Sequence, residues 1–166
     1  MAQEPRAKGV LDLEGKYLTF TLGVEEFGIG ILKIKEIIGI VPITPVPRTP
    51  QAVRGVINLR GTVIPIIDLR IKFGLPEVMS TKRTCIVVVD VRMQGQSRQM
   101  GVVVDSVSEV LNIKGEEIED SPDFGGSMAD TGYILGMAKT ETGVKIILDI
   151  DKVLGIEEAS SVLNIT

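Results

Sequence analysis

The feature that most constrains this chain is that it repeats itself. Phe27-Gly-Ile-Gly-Ile-Leu-Lys-Ile-Lys-Glu36-Ile-Ile aligns without gaps on Met100-Gly-Val-Val-Val-Asp-Ser-Val-Ser-Glu109-Val-Leu. Gly28 falls on Gly101, Glu36 on Glu109, and most apolar residues fall on apolar ones. A second correspondence follows in the same order: Gly55 precedes Asp68 by the interval that separates Gly136 from Asp149, with Gly61 or Gly143 between them. Strands rich in Ile and Val align easily by chance, but two matches in one order read better as a duplication. A chain of 166 residues has room for two small, tightly joined halves. The division expected is 16–80 for the first half and 81–150 for the second, with strand exchange between them left open. Residues 1–15 read as a flexible N-terminal segment and 151–166 as a C-terminal helix or tail.

Each half reads as β-structure. Lys16 to Gly23 sets Tyr17, Thr19 and Thr21 against Leu18, Phe20 and Leu22, the period of a strand with two different faces. Further runs are Phe27 to Lys33, Val53 to Leu59, Thr62 to Ile67, Thr84 to Val91, Gln99 to Val104 and Gly143 to Leu148. Apolar residues make up 44% of the chain and are mostly branched, which suits pleated sheets. Helical punctuation is sparse. Thr49-Pro50 can start one turn, and Asp68 can cap Leu69 to Phe73, which Gly74 and Pro76 then end. Asp151 onward can form a C-terminal helix that Gly155 weakens. Closing such small sheets into barrels removes their edges, and two packed barrels leave a groove between them suited to recognition.

The chain lacks the usual tools of catalysis. It has no histidine, which removes the common general base, the Ser-His-Asp and Cys-His arrangements, and imidazole metal ligands. Its one cysteine, Cys85, lies in the run Cys85-Ile-Val-Val-Val and reads as a buried thiol, which excludes thiolate zinc sites. Gly9 to Gly15 has the wrong spacing for a phosphate loop, and Gly28-Ile-Gly30 lacks the third glycine of a dinucleotide turn. Carboxylates remain: Glu116, Glu117, Glu119, Asp120 and Asp123 open an acidic stretch, 116–130, that can hold Ca²⁺ or supply an acid/base pair. Its spacing is not that of a calcium-wrapping loop, and a solvated loop explains it more simply. The expectation is a non-enzyme with no cofactor and no metal.

Charge and length exclude other classes. A net charge of −4 and few aromatics argue against nucleic acid. No signal peptide and no apolar span of membrane length are present, so a cytoplasmic protein without direct membrane insertion is expected.

Recognition must then rest on surface segments. In Gly55-Val-Ile-Asn-Leu-Arg-Gly-Thr-Val-Ile-Pro-Ile-Ile-Asp-Leu-Arg70, two apolar runs flank a turn at Asn58-Leu59-Arg60-Gly61. Arg60 at its tip offers a planar fork of donors to a partner's carboxylate or carbonyls. A solvated arginine, or one bonded to a carboxylate of its own fold, accounts for the spacing somewhat better. Ile34, Glu36 and Ile38 share one face of a short segment, where Glu36 is either a contact or an ordinary surface charge. The prolines at 42, 45, 47 and 50 contain PxxP but read more simply as a stiff edge connection.

On three of these segments the chain resembles the CheW family, the coupling proteins of bacterial chemotaxis. They are Phe20 to Ile38, Gly55 to Arg70 and Gly101 to Leu111, and the likeness runs over about residues 16 to 155. It is least close at 92–99 and 120–132. The resemblance implies an all-β fold of two SH3-like five-stranded barrels packed together, with short helical turns. It also implies an adaptor linking the cytoplasmic tip of methyl-accepting chemotaxis receptors to the regulatory domain of the histidine kinase CheA, at membrane-associated receptor arrays. Receptor contact is implied for Ile34, Glu36, Gly55, Asn58, Arg60, Val107 and Val110, and a coupling role for Gly101. It assigns no residue to the kinase-docking face. A stand-alone coupler is expected, since no receiver domain follows and neither a phosphotransfer histidine nor an ATP-binding domain is present.

Overall fold

The computed structural model describes residues 14–93, 95–119 and 133–154. The chain runs through β1 (Gly15–Leu22), β2 (Glu25–Gly30), a 3-10 turn (Ile31–Lys33), β3 (Ile34–Gly39), β4 (Val53–Leu59), β5 (Thr62–Asp68) and α1 (Leu69–Lys72). It continues through β6 (Cys85–Met93), β7 (Gln96–Val104), β8 (Ser106–Ile113), a second 3-10 turn (Gly115–Glu117) and β9 (Ile118–Glu119). It ends with β10 (Ile134–Thr140), β11 (Gly143–Leu148) and α2 (Ile150–Val153). Two sheets result, ordered β8-β1-β2-β11-β10-β9 and β3-β6-β7-β5-β4.

Both sheets curl shut as SH3-like barrels. In the second, the chain leaving β3 returns at Thr44, whose N–H and C=O both bond Val56 on β4. In the first, the chain leaving β8 passes the second 3-10 turn and pairs with β10 as β9. Sheet edges are thereby covered, as so small a sheet requires.

The sheets do not follow chain order. The first barrel combines β1 and β2 with β8 through β11, while β3 through β7 make the second. The 80/81 division therefore falls between β5 and β6, which share a sheet. The registers repeat between the barrels. Gly55 faces Ile66 and Gly136 faces Ile147, each after a bulge. Gly101 then faces Ile66, and Gly28 faces Ile147, in the parallel pairings. The bulge ahead of Glu36 on β3 has its counterpart ahead of Glu109 on β8. Duplication is thus written in the hydrogen-bond ladders as well as in the letters.

Burial explains the sequence pattern strand by strand. Leu18, Phe20 and Leu22 of β1 and Val87, Val89 and Val91 of β6 join one apolar layer between the barrels. The opposite faces fill the barrel interiors: Tyr17 in the first, Ile86 and Val88 in the second. Strands buried on both faces carry continuous apolar runs, which is why Ile86 to Val89 shows no alternation. A stack of rings, Phe20 on Phe27 at 5.7 Å, Phe27 on Phe73 at 5.6 Å and Phe73 on Tyr133 at 5.4 Å, ties α1 to the first barrel. Cys85 is only partly buried, not fully as its run implied. Burial still pushes its thiol above the usual value, against a smaller downward pull from the Val107 backbone.

The local helix and strand expectations met mixed outcomes. Asp68 caps α1 as expected, accepting from Arg70 N at 2.9 Å. Thr49-Pro50 leads only into a turn, Gln51-Ala52. The last helix begins one residue earlier than expected, capped by Asp149, and residues 155–166 lie outside the described part. Phe27 to Lys33 leaves the strand at Gly30, because the chain must cross there to the other barrel. Among the described residues no helix is long and apolar enough to cross a membrane.

Gly55 serves this closure. It is buried at φ 139, and a Cβ on it would lie 2.0 Å from the Thr44 carbonyl oxygen. At Gly101 a Cβ would meet methyl groups of Ile66 and Ile86 at 2.7 and 2.8 Å, and at Gly28 its nearest neighbour would be Ile147 Cδ1 at 3.1 Å. Side chains yield more easily than backbone, so alanine substitutions should destabilise in the order Gly55, Gly101, Gly28. We expect about 3 kcal/mol at Gly55 and about 1 kcal/mol at Gly28, read by urea denaturation.

Candidate functional site

The β4–β5 hairpin turns in two residues, Arg60 and Gly61, both with positive φ, 51 and 91. That is the primed turn whose twist matches the flanking strands, and Leu59 pairs with Thr62 across it. Gly61 meets the requirement without cost; Arg60 does not, because its Cβ crowds the following carbonyl. Two contacts support the strained tip. Asn58 Oδ1 accepts from Gly61 N at 2.8 Å, and the Arg60 guanidinium donates through Nη2 to Glu36 Oε2 on β3.

Arg60 thus bonds a carboxylate of its own chain. The pair is nevertheless open: the Arg60 side chain is 68% exposed and that of Glu36 is 30% exposed. Exposed ion pairs contribute about 0–1 kcal/mol, so an incoming carboxylate can take over the guanidinium at little cost. A half-buried counterpart is Arg54 with the buried Asp68, 2.9 Å apart, whose carboxylate is already committed to capping α1.

Glu36 and Arg60 line one cleft with Lys35, Leu59, Thr62 and Gln99. The last four were not singled out from sequence. Gln99 arrives through the parallel β5–β7 pairing, which no local pattern announces. Lys35 also approaches Asp90 at 3.6 Å, which anchors its side chain over β6.

The remaining expected residues sit elsewhere in the fold. Ile34 begins β3 and Val107 lies near the start of β8, both half-buried against the layer between the barrels. They occupy one position of the two repeats, as do Ile37 and Val110, which are 43% and 50% exposed. Val107 and Val110 lie on β8, which borders β1 in the other sheet. Gly55 and Gly101 are buried and offer no side chain. Among the described residues no group of three or more acidic or thiol ligands could hold a metal ion. The stretch from Asp120 to Asp130 lies outside those residues.

Two closed, interlocked barrels display a strained arginine over an acidic neighbour, the architecture of a β-barrel module with an exposed charged cleft. Comparison with known proteins gives its family. Residues 16–158 match the family model for the CheW-like domain. The chain is 42% identical to the chemotaxis protein CheW of Klebsiella aerogenes, over 90% of this chain and 87% of that one. It is 34% identical to CheW of Rhizobium meliloti, over 85% and 88% of the two chains. The crystal structure of the scaffolding protein TtCheW from Thermoanaerobacter tengcongensis superposes with a TM-score of 0.76 at 34% identity, covering 87% of this chain and 95% of that one. The chain belongs to the CheW family.

The hairpin makes a testable separation of stability from recognition. Arg60→Gly should stabilise the turn by up to about 1 kcal/mol, by removing left-handed strain that outweighs an exposed ion pair. Asn58→Ala should destabilise it by about 1 kcal/mol through the lost bond to Gly61 N. Thermal unfolding of the two variants beside the parent checks both signs.

Proposed function

We propose that this chain is a non-catalytic adaptor that couples methyl-accepting chemotaxis receptors to the histidine kinase CheA, working in the cytoplasm at receptor arrays. A scaffolding role in chemotaxis follows from the family and from the names its relatives carry. The finer reading rests on the observation that Arg60 is held exposed at a strained tip, above a carboxylate it can leave at small cost. One surface holds the receptor tip, another holds the kinase regulatory domain, and the adaptor links their equilibria. Such linkage needs contacts that differ between the kinase-on and kinase-off states, worth about 1–3 kcal/mol.

The receptor face in this reading comprises Glu36 and Arg60 in the cleft, with Ile34, Val107 and Val110 on the strands that follow the two crossovers. Asn58 and Gly55 act through the fold: one fixes the turn and the other lets the barrel close. Gly101 likewise acts by permitting the close β5–β7 approach. Arg60→Ala should weaken binding of a receptor signalling domain at least about tenfold while the melting temperature stays near that of the parent. Receptor binding as tight as the parent's would remove Arg60 from the contact. A calcium site in 116–130 is the competing reading, and calorimetric titration with Ca²⁺ should give no binding heat.

A further inference from the structure

The duplication places two clamps in this molecule, one at each crossover between the barrels. In the first, Asp105 lies between β7 and β8. Its Oδ2 accepts from Arg70 Nη1 of α1 at 2.7 Å and from Gly23 N, in the β1–β2 hairpin, at 2.7 Å. Arg70 is further fixed by donating from Nε to the Pro76 carbonyl at 2.9 Å. In the second, Lys33 lies between β2 and β3. It donates to both carboxylate oxygens of Asp151 in α2, at 3.0 and 2.8 Å. Asp151 Oδ1 also accepts from Arg92 N, in the β6–β7 hairpin, at 2.9 Å.

These are one device made twice with its charges exchanged. Arg70 follows the capping Asp68 by two positions, as Asp151 follows Asp149. The strand registers likewise make Gly23 and Arg92 equivalents, since Phe20 faces Phe27 as Val89 faces Met100. Lys33 aligns one position beyond Asp105. Each clamp brings together a short helix of one barrel, a hairpin of the other and the chain that crosses between them. In both, a carboxylate joins a cation to a backbone N–H, but it sits on the crossover in one clamp and on the helix in the other.

The layer between the barrels is apolar, and apolar contact is strong but non-directional. Charge-assisted bonds at fixed points are directional. The clamped crossovers also lead directly into the receptor-facing strands, Lys33 into Ile34 and Asp105 into Ser106 and Val107. We propose that Arg70, Asp105, Lys33 and Asp151 are positioning residues: the clamps set β3 and β8 relative to each other and so transmit kinase control across the two barrels. This rests on the adaptor reading above.

The test uses the full chain with a receptor signalling domain and CheA. Asp105→Lys sets two cations side by side, and Asp151→Ala opens the other clamp. Each should reduce receptor control of kinase activity at least about fivefold, while affinity for each partner alone stays within about twofold. Amide exchange locates the cause: Gly23 N–H should exchange about tenfold faster in Asp105→Lys and Arg92 N–H in Asp151→Ala, each leaving the other unchanged. Arg70→Asp combined with Asp105→Lys rebuilds the charge order of the second clamp and should restore coupling. Faster exchange with coupling intact, or a double variant that stays uncoupled, would overturn the inference. If Asp105→Lys fails to fold, Asp151→Ala decides by the same two readings. A parent chain that never couples receptor to kinase would instead sink the adaptor reading, whatever the amides do.

Discussion

Everything else in this structure depends on the apolar layer between the two barrels. Leu18, Phe20 and Leu22 meet Val87, Val89 and Val91 there, with Met100, Val102 and Val104 of β7. A barrel of five or six short strands has little interior of its own, and the first one spends part of it on buried Thr19 and on Lys145, which pairs with Glu26. The shared layer supplies what each interior lacks. It forms only because the chain exchanges strands, so that β1 and β6 are buried on both faces. Neither barrel is complete without a segment from the other half of the chain.

That exchange explains what could and could not be read from the letters. The runs Val53 to Leu59 and Gly143 to Leu148 coincide with β4 and β11, because turns and glycines bound them locally. The repeat was visible because equivalent strands meet equivalent neighbours, and Gly28 and Gly101 must both lack a side chain where parallel strands meet. Sheet order was hidden, since the β2–β11 and β5–β7 pairings join residues remote in sequence. β8 and β10 also escaped: β8 carries Ser106, Ser108, Glu109 and Asn112 among its apolar residues, and β10 opens in a bulge beside a glycine. Their burial is decided by which barrel they enter.

The candidate site divides along the same line. Asn58, Arg60 and Gly61 could be placed at a hairpin tip, because turn chemistry is local. That Arg60 reaches Glu36 could not, since β3 and β4 come together only where Thr44 closes the barrel. At Gly55 the surroundings themselves require glycine, because a Cβ would run into the Thr44 carbonyl. Residues that look like surface determinants in such a fold can act by shaping the backbone that presents the surface.

The central claim is that one small, two-barrel protein holds receptor and kinase together. Co-sedimentation of CheA with membranes or vesicles carrying a receptor signalling domain tests it most directly, with and without this chain and with kinase activity read in parallel. The account predicts that CheA sediments and responds to receptor ligand only when the chain is present. Equal sedimentation and equal control in its absence, or binding of either partner only when the other is left out, would contradict it.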